Sequence, residues 1–137
     1  MPRKKIEVKM KSYGLYTQWD RDSKELPKIL EFTTKIPAKV GIEFGYIINI
    51  RGARGKVLDF CIDHPPFKNS QGDLAPAFTG IEHVDSNNFN FFLGDTIWLP
   101  VEDKVGKWEL TCHIEGKQLA QKSFDILLES EIAPDGV

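Results

Sequence analysis

A strict two-residue alternation near the C-terminus constrains the fold of this chain more than any other feature. Four apolar side chains alternate with polar ones along one run: Trp108, Leu110, Cys112 and Ile114. This period is typical of a β-strand with one buried face. A glycine-bearing turn at residues 115–117 follows, and a second alternating run then places Phe124 and Ile126 on one side. The pattern predicts a β-hairpin of the kind that often closes a β-sandwich.

The longest alternation lies in the first half of the chain. Apolar side chains occupy every even position of one run: Val40, Ile42, Phe44, Tyr46, Ile48 and Ile50. This run predicts a long strand with one buried face. A glycine-rich link at residues 51–55 leads to a return strand over 57–63. Because the link is short, we expect the two strands to form a hairpin.

Weaker patterns complete an all-β fold. The other predicted segments are a strand over about 5–17 with a bulge or bend at Gly14, a short strand or helical turn over 26–35, and strands over 78–84 and 89–93 with a turn at Gly94-Asp95. Seven to eight short strands separated by turns predict an antiparallel, immunoglobulin-like β-sandwich. We expect one domain over residues 5–128, with flexible ends at 1–4 and 129–137.

Charge and composition exclude several classes of partner. The net charge is −2 and the pI is about 5.9, so no global field recruits nucleic acid or an anionic membrane. The basic N-terminus is not followed by the apolar segment that a signal peptide or a membrane span requires. We therefore expect a cytoplasmic protein whose partner is another protein.

The two cysteines are not expected to form a disulfide. Cys61 alternates out of phase with the apolar side chains of its strand, whereas Cys112 is in phase with Trp108. One thiol therefore faces outward and the other inward, which does not allow the geometry of a bridge. Asp59 and Asp63 share the outer face with Cys61 and should raise the pKa of its thiol, so we interpret Cys61 as an inert surface residue.

The sequence contains no recognisable catalytic or metal-binding constellation. His64, His83 and His113 lack the spacing of metal ligands, and neither a Cys-x-x-Cys pair nor a Gly-x-Ser-x-Gly motif is present. We expect no metal, no cofactor and no catalytic residue, and thus a domain that is not an enzyme. A hydrolase with His64 as its base is the alternative. Since neighbouring strand residues point to opposite faces, Asp63 cannot orient that ring, and a packed imidazole is the preferred interpretation.

The basic, glycine-rich segment 51–56 raises the question of an anion site. It lacks the spacing of a phosphate-binding P-loop, and no helix follows it. We interpret it as a turn, with a weak contact to an anion as the alternative.

Aromatic residues supply the best indication of an interaction surface. Phe89 and Phe91 share one face of their predicted strand, whereas Phe92 lies on the other. Either this strand is covered on both faces, or an apolar patch is exposed for a partner. The candidate binding residues are His64, Pro65, Pro66, Phe67, Phe92 and Trp98. The leading hypothesis is a protein-interaction or adaptor module that uses residues 64–67 or 89–98; the alternative is a small-ligand or carbohydrate binder that stacks its ligand on Trp19, Phe67 or Trp98.

Several short motifs together resemble a family of small bacterial domains of unknown function. The motifs are Gly14-x-Tyr16, Ile36-Pro37-Ala38-x-x-Gly41-x-x-Phe44-Gly45-Tyr46, His64-Pro65-Pro66, Gly106-x-Trp108 and Gly116-x-x-Leu119-Ala120-x-x-x-Phe124. The resemblance covers roughly residues 6–127 and implies an immunoglobulin-like sandwich of bacterial origin. It implies no activity and therefore no catalytic residue.

Overall fold

The computed structural model describes residues 5–19, 25–69 and 71–129, which form a sandwich of two β-sheets. Its elements, in chain order, are β1 (Glu7–Tyr16), β2 (Ile29–Phe32), β3 (Lys35–Pro37), β4 (Glu43–Arg51), β5 (Val57–Asp63), β6 (Phe78–His83), β7 (Asn88–Thr96), a 3-10 turn (Glu102–Lys104), β8 (Gly106–Ile114) and β9 (Lys117–Leu127). The strand order is β2-β1-β4-β7 in the first sheet and β3-β9-β8-β5-β6 in the second. Every pair is antiparallel except β3 with β9. The predicted all-β sandwich is confirmed, with nine strands instead of seven to eight.

Two expectations drawn from the sequence concern the ends of the chain and the membrane. The segments 1–4 and 130–137, predicted to be flexible, lie outside the described residues. Within the described ranges, no helix has the length and apolar character needed to cross a lipid bilayer.

The strands with the strictest alternation supply the core. The side chains with no exposed surface include Phe44, Tyr46, Ile48 and Ile50 of β4, Trp108, Leu110 and Cys112 of β8, and Phe124 and Ile126 of β9. The Phe44 ring meets Trp108 and Phe124 edge to face, with centroids 5.5 and 5.6 Å apart. The Tyr46 hydroxyl donates a hydrogen bond to the carbonyl of Leu110 at 3.2 Å. Because β4 and β8 belong to different sheets, this bond joins the two layers.

The C-terminal hairpin is confirmed. β8 and β9 pair in antiparallel orientation, and only Glu115 and Gly116 connect them. Both residues have positive φ, 52° and 78°. Two consecutive residues with positive φ match the right-handed twist of the flanking strands, which favours this tight connection.

The hairpin predicted between β4 and β5 is wrong, because the two strands belong to different sheets. Their link crosses the sandwich and buries Ala53 completely. It pairs with the connection from β6 to β7, which crosses back: the Gly52 N–H donates to the Asn87 carbonyl at 3.1 Å, and the Gly55 N–H donates to the Val84 carbonyl at 2.8 Å. The alternation of apolar and polar residues predicts which side chains of a strand are buried, but it does not predict which sheet the strand joins.

The structure decides one open alternative and corrects one prediction. Residues 26–35, left open between strand and helix, contain β2 and the start of β3, so the chain passes here from the edge of one sheet to the edge of the other. The turn predicted at Gly94-Asp95 is wrong, since β7 continues to Thr96. Gly94 lies opposite Gly45 in an unbroken ladder.

The irregularity predicted at Gly14 is split between two places in β1: against β2 the register shifts between Leu15 and Tyr16, next to Gly14, and against β4 it shifts earlier in the strand. The register against β4 shifts between Met10 and Ser12. Gly14 itself allows β2 to approach β1 closely, since a Cβ at this position would overlap the carbonyl oxygen of Glu31. The shift after Met10 reverses the two faces of the strand, because Met10 lies opposite the core residue Ile48, whereas Ser12 lies opposite the outward-facing Ile47. The following residues of β1 therefore alternate in the opposite phase.

The sandwich has one closed and one open side. On the closed side, the continuous segment that contains β2 and β3 borders both sheets. On the open side, β7 is the edge of the first sheet and β6 is the edge of the second. Among the described residues, neither β6 nor β7 pairs with a second strand.

Candidate functional site

One end of the sandwich gathers five rings where β5 and β7 end and where β6 and β8 begin. The rings, together with one ammonium group, form what we call the loop-end cluster: His64, Phe67, Phe78, Trp98, Trp108 and Lys104. The ring centroids of His64 and Phe67 are 4.2 Å apart, and those of Phe67 and Trp98 are 5.6 Å apart. Of the candidate residues, all but Phe92 lie at this end; Pro65 packs against Gly106, and Pro66 is exposed.

Both ring nitrogens of His64 face backbone carbonyl oxygens. Nδ1 lies 2.8 Å from the oxygen of Pro65, and Nε2 lies 2.8 Å from that of Pro76. A carbonyl oxygen only accepts hydrogen bonds, so these contacts direct both nitrogens toward the loop and not toward a substrate. The Asp63 carboxylate accepts the backbone N–H of His64 and does not contact the ring. This geometry supports the packed imidazole and gives no support to His64 as a catalytic base.

Lys104, which the sequence analysis did not single out, lies at the centre of the loop-end cluster with 1% of its surface exposed. Its Nζ donates to the Pro100 carbonyl at 3.0 Å and to the Asp103 carboxylate. It lies 4.7 Å from the ring centroid of Phe67 and 4.5 Å from that of Trp98, which are cation–π contacts. No periodicity identifies this lysine, because it lies in a single 3-10 turn.

Two of the three rings expected to stack a ligand, Phe67 and Trp98, contact other side chains of the loop-end cluster. Trp98 and the third ring, Trp19, are half-buried. Phe67 is 6% exposed, and the Trp98 ring carries the Lys104 ammonium. The exposed apolar side chains near this end are Leu74 and Leu99. The loop-end cluster therefore packs mainly against itself.

Phe92 lies away from the loop-end cluster, on the outer face of the first sheet. Its ring is 2% exposed and contacts Tyr16 and Trp19 edge to face, with centroids 5.0 and 5.1 Å away. Tyr16 reaches this face because the shift after Met10 reverses the strand. The Phe92 ring also covers Gly94, where a Cβ would overlap it. The strand is thus covered on both faces at Phe91 and Phe92, which was one of the two alternatives predicted for it; the other was an exposed apolar patch.

A buried carboxylate holds the segment that covers Phe92. Glu43 is 5% exposed, and its Oε1 accepts hydrogen bonds from the Trp19 N–H at 3.3 Å and from the Thr96 hydroxyl at 3.0 Å. Burial raises the pKa of Glu43 above its usual value, and the hydrogen bonds offset this only in part. Asp95 raises this pKa further.

A groove runs along the free edge of β7 on the open side of the sandwich. Six consecutive residues, Phe89 to Gly94, line it, and we call it the β7 groove. Trp19 and Leu26 form one wall, and Phe60, Ile81 and Glu82 form the other. The groove has a volume of about 290 Å³. The wall residues are far apart in the sequence, so the local pattern around Phe92 could not reveal them.

The two thiols lie on opposite faces of the second sheet. Cys112 is fully buried, and burial is the main cause that raises its pKa to about 11. Burial also raises the pKa of Cys61, with further contributions from Asp63 and Glu109. From the sequence, Asp59 and Asp63 were expected to raise the pKa of this thiol; in the structure, Asp63 does so together with Glu109 of the neighbouring strand β8. Neither thiol is activated as a nucleophile.

Potential metal ligands do not gather in the part of the chain that the structure describes. No group of three or more His, Cys, Asp or Glu side chains is placed to hold an ion there. His113 lies 3.9 Å from the Asp59 carboxylate, and His83 is exposed on β6.

Comparison with known proteins identifies the class of fold. The crystal structure of an immunoglobulin-like protein (PA1606) from Pseudomonas aeruginosa superposes with a TM-score of 0.75 over 91% of this chain and 98% of that chain, at 21% sequence identity. The sandwich is therefore immunoglobulin-like, as predicted. Residues 4–126 match the family described as "Domain of unknown function (DUF3859)", and the chain belongs to that family. A search of curated proteins gave no match.

Proposed function

We propose that this domain is a protein-interaction module that binds an extended segment of another polypeptide as an additional strand along the β7 groove. The observation that carries the proposal is the groove itself, in which six consecutive residues of an edge strand lie between a wall from the link after β1 and a wall from the second sheet. Strand addition to an open edge is a recurrent mode of peptide recognition.

The backbone of β7 supplies the affinity in this proposal. β4 occupies one side of β7, and no described strand occupies the other. An added segment would pair with the N–H and C=O groups on that free side at the usual strand spacing of about 4.8 Å. Six residues of edge correspond to a segment of about 20 Å.

The walls supply the specificity. Successive side chains of an added strand point to opposite faces, so they would contact Trp19 and Leu26 on one side and Phe60 and Ile81 on the other. Both walls are mainly apolar, so the favoured segment has apolar residues at consecutive positions. It also lacks proline, which cannot donate to the ladder.

The loop 64–67 is less suited to this role. Phe67 and Lys104 are buried against Trp98, so substituting them would disturb packing before it removed a contact with a partner. The proposal therefore uses the region 89–98 of the two regions that the sequence analysis considered.

The matched variants Ile81→Lys and Leu30→Lys test the proposal. Ile81 is 61% exposed on the groove wall, and Leu30 is 66% exposed on β2 at the closed side, so both should fold normally. In selections from a random peptide display library, we expect apolar, proline-free peptides. We expect Ile81→Lys to weaken them at least about tenfold and Leu30→Lys to leave them unchanged. Equal weakening by both variants, or no enriched peptide, would contradict the proposal.

Hydrogen exchange gives a second measurement on the same complex. A bound peptide should slow exchange of β7 amides between residues 89 and 94 and leave β2 amides unchanged. The same edge can also pair with a second copy of the chain. Concentration-dependent sedimentation of the protein alone, abolished by Ile81→Lys, would identify that copy as the occupant instead of a peptide.

A further inference from the structure

The outer face of the first sheet has a polar half that lies apart from the loop-end cluster and borders the β7 groove at Asn90. Two rows of side chains cross β1, β4 and β7 in register: Lys9, Asn49 and Asn90 in one row, and Glu7, Arg51 and Asn88 in the other. With Lys11 they line a depression of about 350 Å³. We call these residues the asparagine site.

An amide network fixes the orientation of this site. The Nε of Arg51 donates to Oδ1 of Asn49 at 3.3 Å. Because a guanidinium only donates, Asn49 must turn its oxygen to Arg51 and its amino group to the neighbouring strand. Its Nδ2 donates to Oδ1 of Asn88 at 2.7 Å and to Oδ1 of Asn90 at 2.9 Å.

The consequence is a surface of hydrogen-bond donors. All three amide oxygens are engaged within the network, which leaves the amino groups of Asn88 and Asn90 to face a ligand. The terminal nitrogens of Arg51 are available as well. An ordinary solvated sheet face presents donors and acceptors alike, whereas this one presents mainly donors.

The charges of the site have the matching sign. Lys9, Lys11 and Arg51 oppose only Glu7, so three positive charges meet one negative charge, although the whole chain carries −2. Among the described residues, none of these three cations forms an ion pair. Uncompensated cations beside free amide donors attract an anionic acceptor.

We propose that the asparagine site binds an oxyanion, namely a carboxylate, phosphate or sulfate group carried by a small ligand. Arg51 and Lys9 supply charge, the amino groups of Asn88 and Asn90 donate to the anionic oxygens, and Asn49 is a positioning residue that holds both amides. The site shares Asn90 with the β7 groove, but its other residues lie outside that groove, so this inference does not depend on peptide binding there.

A nuclear magnetic resonance titration tests the site at low ionic strength. The ligands are inorganic phosphate, glucuronate and, as an uncharged match for glucuronate, glucose. We expect saturable shifts of the Asn88 and Asn90 side-chain amides with phosphate and glucuronate, and none with glucose. Tighter binding of glucuronate would point to an acidic saccharide as the source of the group, and tighter binding of phosphate would point to a phosphate ester or the free ion.

Three variants separate a built site from general electrostatic attraction. Arg51→Gln should weaken binding about tenfold and reduce its salt dependence, whereas Lys117→Gln, an equal charge change on the second sheet, should leave it unchanged. Asn49→Leu should also weaken binding several-fold, because the two amides lose their orientation, but it should keep the salt dependence of the wild type. Shifts that stay linear with ligand concentration, or equal effects of Arg51→Gln and Lys117→Gln, would overturn the proposal.

Discussion

At the scale of single residues, two buried ionisable side chains have opposite surroundings. The Lys104 ammonium has a carboxylate, a carbonyl and two aromatic rings around it. Glu43 accepts hydrogen bonds from two neutral donors, and the negative charge of Asp95 disfavours the ionised form of Glu43. Burial of a charge is tolerated when it is paired, so Lys104 is compensated and ionised Glu43 is not.

Glu43 should therefore make stability depend on pH. Its pKa in the folded protein lies above the usual 4.5, so the folded state keeps a proton that the unfolded chain releases. The free energy of unfolding should then fall as pH rises above about 4.5. Glu43→Gln keeps an oxygen for Trp19 and Thr96 without a charge, so we expect it to be more stable than the wild type at pH 7 and about equal at pH 4.

Urea unfolding at the two pH values measures this difference. Glu31→Gln, at an exposed glutamate on β2, is the control and should change the stability by less than about 0.5 kcal/mol. A Glu43→Gln protein that is less stable than the wild type at pH 7 would show that ionised Glu43 contributes to the fold.

At the scale of elements, glycines determine how closely strands approach in the first sheet. Gly14, Gly45 and Gly94 lie in one row across β1, β4 and β7. Gly14 has φ of 133°, and a Cβ there would overlap the backbone of Glu31 on β2. This position therefore demands glycine both for its dihedral angle and for the space it leaves.

Gly14→Ala should cost about 3 kcal/mol of stability, since strain at positive φ adds to a clash with backbone that cannot rotate away. Gly55→Ala is the matched control, because Gly55 also has positive φ, 86°, but has no neighbour within 4 Å of an added Cβ. We expect that variant to lose only about 1 kcal/mol. Chemical denaturation gives both values, and equal losses would mean that the approach of β2 contributes nothing.

At the scale of the whole molecule, a buried hydroxyl group of one sheet contacts the other sheet directly. The Tyr46 hydroxyl of the first sheet donates to the Leu110 carbonyl of the second at 3.2 Å and lies 3.3 Å from Sγ of Cys112. Burial of this hydroxyl raises the pKa of Tyr46, which therefore stays neutral. The bond fixes one position of the first sheet against the second within an otherwise apolar core.

Tyr46→Phe should lower the free energy of unfolding by about 1–2 kcal/mol, because the Leu110 carbonyl and the Cys112 thiol lose a buried partner. Tyr13→Phe, in the same sheet on a half-buried side chain, should change it by less than about 0.5 kcal/mol. Thermal or urea unfolding compares the two variants. A Tyr46→Phe protein as stable as the wild type would show that the apolar contacts alone position the sheets.

For the candidate sites, the sequence predicts the face of the strand on which a side chain lies, but it does not predict the contacts that the side chain makes with distant residues. The sequence placed Phe92 on the face opposite Phe91, and the structure agrees, but its cover by Tyr16 and Trp19 depends on a register shift in another strand. The alternation along β7 also places Asn88 and Asn90 on the same face as Phe92. Their hydrogen-bond network was not predictable, because Asn49 lies 39 residues from Asn88 in the sequence and two strands must pair before the amides meet.

The sequence by itself determined which side chains are buried on the regular strands and how the last two strands turn. Both are local properties, since a period of two and two residues with positive φ act within a few residues. Only the tertiary structure decided that the link after β4 crosses to the other sheet, that β6 and β7 remain open edges, and that Lys104 is enclosed by aromatic rings. Glycine-rich links of the same length serve hairpins and crossings alike, so these features depend on long-range pairing that no local pattern encodes.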